Sequence, residues 1–245
     1  RILGVLVGAG ITAIIQSSSA TTVMVVGFVN SGLMTLQQAV GVIMGANVGT
    51  TMTSLLIALD VGLIAPLLAF FGVVLITMFK KQKINCIGQI IAGLGILFLG
   101  MELMSSSMAP LRDYEPFVNL LSSFSNPILG ILAGALFTAV VQSSSASIGI
   151  LQALALSGVV GLDNAVFVLF GQNIGTCITA VLASLSGNRN AKRTTLIHLM
   201  FNVIGTVIFT VICLTTDFTG LIQSYLPGNV PGQIATTHII FNVVT

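Results

Sequence analysis

Followed along the chain, apolar stretches dominate and a few short polar clusters interrupt them. Residues 2 to 15 are apolar and glycine-rich, the run Gln16-Ser17-Ser18-Ser19-Ala20-Thr21-Thr22 follows, and Val23 to Val29 is apolar again before Asn30-Ser31-Gly32 makes a turn. At the helical rise the first arm reaches roughly 21 Å, short of a hydrocarbon core about 30 Å thick. The pattern predicts a re-entrant helical hairpin with its tip near Gln16 to Ser19. Residues 36 to 59 are long enough to cross, and Gly45-Ala46-Asn47-Val48-Gly49-Thr50-Thr51 in their middle predicts a broken transmembrane helix. A turn at Asp60-Val61-Gly62, a crossing helix over 61–79, the basic loop Lys80 to Lys83 and a second crossing helix over 86–104 come next. Residues 105 to 125 are polar, with Phe117, Leu120, Leu121 and Phe124 at helical spacing, which predicts a short helix lying on the membrane surface.

The same pattern then returns. Laid over one another at an offset of 126, residues 8 to 59 and 134 to 185 need no gap and share 22 of 52 positions, so the chain is a duplication, with repeats over 1–59 and 126–185. Gln142-Ser143-Ser144-Ser145-Ala146 repeats the first tip, and Asn173-Ile174-Gly175-Thr176 repeats Asn47-Val48-Gly49-Thr50. The basic loop Arg189, Lys192, Arg193, a crossing helix over 194–214, a polar loop over 215–232 and a partial helix over 233–245 complete the chain. A crossing helix introduces the second repeat and none introduces the first, and the last apolar segment stops short. A helix ahead of residue 1 and a continuation beyond residue 245 are expected.

Composition places these elements. With 55% hydrophobic residues, 6% charged and a mean hydropathy of +1.09, the chain lacks the polar surface of a soluble domain. The fold class expected is all-α: a polytopic, multi-pass protein of the cell (inner or plasma) membrane, with residues 1–245 as one transport domain. The alternation of a membrane barrel is absent. The few basic residues fall in two short stretches, which leaves no footprint for nucleic acid. Cys86, Cys177 and Cys213 lie in apolar surroundings without metal-ligand spacing and read as packing residues.

Charge sets the topology. If the Gln-Ser-Ser-Ser stretch were a full crossing, the two basic loops would fall on opposite faces; if it is a hairpin tip, both are cytoplasmic, as short basic loops prefer. The second choice makes the repeats inverted, with the tips meeting near the midplane. Six serine hydroxyls and two glutamine amides would meet there, beside the asparagines and threonines of the broken helices and without a charged side chain. Hydroxyls donate or accept, so the cluster suits both an anion and a hard cation. Helices starting just after Ser19, Thr50, Ser145 and Thr176 would aim free N–H groups at an anion. Carbonyls and amide oxygens would favour sodium, and ions of opposite sign bound together lower each other's desolvation cost. Serine runs in membrane helices also bond back to their own carbonyls or ease packing. Packing alone does not readily keep both motifs at one 31-residue separation in two copies.

The residues QSSSATT with NVGTT, and QSSSAS with NIGT, resemble the type II sodium-dependent phosphate cotransporter family and its bacterial relatives, in which duplicated QSSS motifs are the hallmark. The resemblance implies symport of inorganic phosphate with sodium as coupling ion, by alternation of two inverted halves, with no cofactor and no enzymatic activity. It makes Ser17, Ser18, Ser19, Ser143, Ser144 and Ser145 the candidate phosphate contacts. Gln16, Asn47, Thr50, Thr51, Gln142, Ser143, Asn173, Thr176 and Thr179 become the candidate sodium ligands. Ser147-Ile148 replaces Thr21-Thr22 and Cys177 replaces Thr51 in the second copy, so the halves need not bind alike. The residues alone admit another oxyanion or small carboxylate as cargo, or a passive channel, and leave a homo-oligomer open. An intramembrane serine hydrolase lacks a base beside either tip. His198 with Asn202, and His238 with Asn242, repeat a His-x-x-Phe-Asn pattern and are expected to make interhelical hydrogen bonds. Glu102, Asp60 and Asp163 lie near helix ends and read as structural or solvated groups.

Overall fold

The computed structural model describes residues 2–59 and 62–245. Among them are thirteen α-helices and no strand, as an all-α membrane protein requires. The turn expected at Asp60 and Val61 lies outside the described residues. Four stretches are long and apolar enough to cross a bilayer: Leu36–Ile57, Gln82–Asp113, Leu162–Ser184 and Arg189–Thr215.

Helix α1 (Ile2–Ile15) turns through Gln16 and Ser17 into α2 (Ser18–Asn30), and α3 (Leu36–Ile57) follows after a Thr35/Gln38 capping box. In the second half α7 (Pro127–Val141) turns through Gln142 and Ser143 into α8 (Ser144–Leu156). There the long helix is divided into α9 (Leu162–Gly175) and α10 (Ile178–Ser184). Backbone contact ties each first arm to its long helix. A Cβ on Gly45 would overlap the Val5 carbonyl, and one on Gly171 would overlap the Ile131 carbonyl, the same pair moved along by 126 positions. Glycine is needed here for close approach. The opposite face of α7 carries Ile128, Leu132, Leu136 and Val140, all more than half exposed, which gives the helix one apolar face for lipid.

The break expected in both repeats is absent from the first, and in the second Leu162–Ser184 is one span with only a turn at Thr176 and Cys177, both in right-handed helical backbone. Helix α3 runs unbroken through Gly45 to Thr51, because its glycines meet a neighbouring helix at close range and its threonines bond within the helix. Thr50 Oγ1 donates to the Ala46 carbonyl at 3.0 Å and Thr51 Oγ1 to the Val48 carbonyl at 2.7 Å. No free N–H groups arise at Thr50.

Helix α4 (Ala65–Met78) and helix α5 (Gln82–Met108) pack on each other through Gly72 and Ala92. At 14 residues α4 reaches only about 21 Å, short of the crossing length expected for 61–79. The bend to α6 (Glu115–Ser122), 108° between Glu115–Ser125 and Pro127–Val141, falls at Asn126, which caps α7 from its side chain. Helix α11 (Arg189–Thr215) takes in the basic residues expected as a loop, because Asn188 accepts from the N–H groups of Asn190 and Ala191 at 3.0 Å and starts the helix early. Lys83 likewise falls inside α5. The polar loop over 215–232 contains α12 (Phe218–Tyr225) before α13 (Val230–Val244).

Two contacts fix the ends of the halves relative to α11. Asn188, its N-cap, donates from its backbone N–H to Asn30 Oδ1 at 2.7 Å and from Nδ2 to the Asn30 carbonyl at 2.8 Å, where the first hairpin ends. Beyond the other end of α11, Gln223 of α12 donates to Asp163 at the start of α9 at 3.2 Å. The first helix pair thus ends beside the start of α11, and the start of α9, which follows the second pair, lies beside α12 beyond the other end of α11. Phe170, Phe209 and Phe241, with centroids 5.2 to 5.9 Å apart, join α9, α11 and α13 between them.

Candidate ion-binding site at the paired helix turns

Each tip is built from the same three backbone facts. Gln16 and Gln142 both lie at φ 58°, and they are the only non-glycine residues with positive φ among the described residues. This left-handed turn ends the preceding helix and lets each N–H donate to a carbonyl four residues back, Gln16 to Thr12 and Gln142 to Thr138, both at 2.7 Å. Ser17 (φ −145°) and Ser143 (φ −141°) are extended N-caps, accepting from Ala20 and Ala146 N–H groups at 3.2 Å. The first two N–H groups of α2 and α8, on Ser18 and Ser19 and on Ser144 and Ser145, are left without an intrahelical acceptor. Such a turn presents donors and the positive end of a helix dipole.

The tips meet. Ser18 Oγ and Ser144 Oγ lie 3.4 Å apart, both buried, each the other's counterpart in the duplication. Ser145 Oγ donates to Thr53 Oγ1 of α3 at 3.4 Å, and Thr53 donates to Gln16 Oε1, so one half's tip is linked to the other through α3. The second half lacks that link: Thr179, the counterpart of Thr53, donates to the Thr176 carbonyl at 3.2 Å. The side chains of Gln142 and Ser19 make no hydrogen bond to the described residues.

The expected asparagines are gripped by the scaffold. Asn47 Oδ1 faces His198 Nε2 at 3.2 Å, and its Nδ2 donates to Asn202 Oδ1 at 3.4 Å. Asn173 Nδ2 donates to the Leu169 carbonyl at 3.0 Å, and Asn242 Nδ2 reaches Asn173 Oδ1 at 3.5 Å. The two His-x-x-Phe-Asn segments thus make the expected interhelical bonds, and His238 Nδ1 adds one to Ser54 Oγ at 2.9 Å. Thr176 Oγ1 donates to the Gln172 carbonyl at 2.9 Å, as Thr50 does to Ala46. The named side chains of the tips carry no formal charge, and among the described residues no three His, Cys, Asp or Glu side chains cluster.

Sequence reasoning passed over Gln152 and Gln172. Gln152 Nε2 donates to the carbonyls of Ser54 and Pro231, both at 3.0 Å, and Gln172 Nε2 to the Ser147 carbonyl at 3.0 Å. Both are buried. The signal was in the duplication: they stand where the first half has Val26 and Ala46. Glu102 lines a cavity of about 510 Å³ that also reaches Gln152.

The model of the Na+/Pi-cotransporter family matches residues 1–106 and 114–224, which include both tips. YqeW of Bacillus subtilis is 36% identical over 236 residues, 96% of this chain and 75% of that protein. An Escherichia coli protein named "Putative inorganic phosphate export protein YjbB" is 31% identical over 202 residues, 82% of this chain but only 37% of its own length. Human sodium-dependent phosphate transport protein 2B is 29% identical over 161 residues, 60% of this chain and 23% of that protein. The chain thus spans well under half of these last two relatives. No solved structure matches. With its model matched across both serine tips and nearly the whole length between them, the chain belongs to the Na+/Pi-cotransporter family.

Proposed function

We propose that this chain moves inorganic phosphate across the cell membrane together with sodium ions, by alternating access around the paired tips. The carrying observation is the meeting of two serine-capped helix N-termini, with Ser18 and Ser144 3.4 Å apart. An anion between them would receive hydroxyl and N–H donors from both halves and lie at two positive dipole ends. Ser17, Ser18, Ser19, Ser143, Ser144 and Ser145 are its contacts in this reading. Ser17 and Ser143 keep their hydroxyl protons for the anion while their oxygens cap the helices.

A doubly charged anion needs countercharge in a buried site without Lys or Arg. Sodium supplies it, held by oxygens of Gln16, Thr50, Thr51, Gln142, Ser143, Thr176 and Thr179, and of Asn47 and Asn173 as oriented by α11 and α13. Binding each ion lowers the cost of binding the other, which is the physical basis of coupling. The first helix pair ending beside the start of α11, and α9 starting beside α12 beyond its other end, support an inverted arrangement, with one hairpin entering from each face. Purified protein in liposomes should take up labelled phosphate only under an inward sodium gradient, and indifference to sodium would overturn the coupling. A second reading, net phosphate efflux, is favoured by the name of the Escherichia coli relative. Phosphate release from preloaded vesicles without sodium would select it. Competition by sulfate or dicarboxylates equal to that by phosphate would move the cargo to another oxyanion.

A further inference from the structure

In the first half Thr12 Oγ1 donates to Thr21 Oγ1 at 3.0 Å, closing the fork of the hairpin one turn below its tip. The second half puts Thr138 and Ser147 at those places, and both hydroxyls are buried without a hydrogen-bond partner among the described residues. Serine lacks the γ-methyl that packs a threonine in place, and this pair does not close. Gln172 replaces Ala46 beside them. Its Nε2 is fixed on the Ser147 carbonyl at 3.0 Å, which turns its Oε1 the other way, and Oε1 has no partner either. Thr138, Ser147 and Gln172 of the second half thus each carry a buried oxygen without a partner, where the first half has a bonded threonine pair and an alanine. A buried polar oxygen left without a partner is costly, so these three call for an occupant.

We infer that a sodium ion binds between Thr138 Oγ1, Ser147 Oγ and Gln172 Oε1. The inference rests on the sodium-coupled reading and adds a site to it. The two hydroxyls can rotate to present lone pairs, and the amide oxygen presents its own, an all-oxygen set of the kind a hard cation takes. A largely apolar cavity of about 250 Å³ between α7, α8 and α9 borders Ser147 and Gln172, which leaves room beside the pair for their side chains to adjust around an ion. The position also ties the ion to the tip. The Thr138 carbonyl accepts the Gln142 N–H at 2.7 Å, and the Ser147 N–H donates to the Ser143 carbonyl at 3.0 Å. Occupancy therefore braces the left-handed Gln142 turn and the Ser143 cap, and sodium here would prepare the second tip for its anion.

The test transplants the first half's residues. Wild type, the double variant Ser147→Thr/Gln172→Ala, and Thr138→Val are purified, and two quantities are read: the rise of Tm with sodium over choline in the absence of phosphate, and the sodium concentration for half-maximal phosphate uptake. The double variant restores a closed threonine pair and should fold. The expected result is a sodium-dependent Tm rise in wild type that shrinks in both variants, with the half-maximal sodium concentration raised about tenfold or more. A sodium response unchanged in both variants would overturn the site while leaving sodium coupling intact. A Tm change of equal size in sodium and choline would mark an ordered water and also overturn it. Wild-type uptake indifferent to sodium would bring down the coupled reading itself.

Discussion

The two halves share a backbone and differ in wiring. Both tips have glutamine at φ 58° and a serine cap 3.2 Å from its N–H donor, and both first arms press a carbonyl against a glycine of the long helix. The first half is then closed by direct bonds, Thr12 to Thr21 and Thr53 to Gln16. The second half leaves Thr138, Ser147 and Gln172 oxygens open and has a turn within its long span at Thr176 and Cys177. Duplication fixed the geometry of the tips through backbone contacts, while substitutions beneath them left a bonded threonine pair in one half and open oxygens at Thr138, Ser147 and Gln172 in the other.

The strongest way to break that comparison is at the shared tip. Gln142→Ala and Ser143→Ala should each reduce sodium-driven phosphate uptake to background while the protein remains folded, since losing a cap costs only about 1 kcal/mol. Full activity in both would remove the tips from transport. Next come the glycines: Gly45→Val and Gly171→Val should each cut the yield of folded protein severely and to a similar extent, read by size-exclusion profile and Tm, because each adds atoms where a carbonyl already sits. Unequal damage would mean that the arms do not pack alike. Asn202→Ala and Asn242→Ala should lower stability by about 1–3 kcal/mol, measured by thermal melts. The loss should be greater for Asn202, which accepts from Asn47 and donates to Cys177 Sγ and the His198 carbonyl, whereas Asn242 Oδ1 has no partner among the described residues. The smallest effect is the most diagnostic. In sodium-free buffer Thr12→Val should cost about 1 kcal/mol and Thr138→Val close to nothing, because only Thr12 has a partner to lose.

Much of this was legible before any coordinates. The repeat placed both tips, and the constant offset carried through to individual contacts such as Gly45 on Val5 and Gly171 on Ile131. The paired His-x-x-Phe-Asn segments were readable as interhelical anchors because a polar side chain inside a membrane helix must find a partner. The continuity of α3 was not legible. Glycines and an asparagine read locally as a break, and only the neighbouring α1 backbone shows that Gly45 is there for contact. The early start of α11 escaped because Asn188 caps ahead of the apolar run on which the helix was placed. The open oxygens beneath the second tip needed the structure as well: Ser147 for Thr21 looks conservative until the missing hydrogen bond is seen.

Whether the two tips enclose one anion site can be asked directly with Ser18→Cys/Ser144→Cys in a background where Cys86, Cys177 and Cys213 are replaced. The rate of disulfide formation under mild oxidant is measured with and without phosphate in sodium buffer. Rapid cross-linking that phosphate slows, and that choline in place of sodium restores, is the expected result. No cross-link, or one whose rate ignores phosphate, would contradict a shared site between the tips.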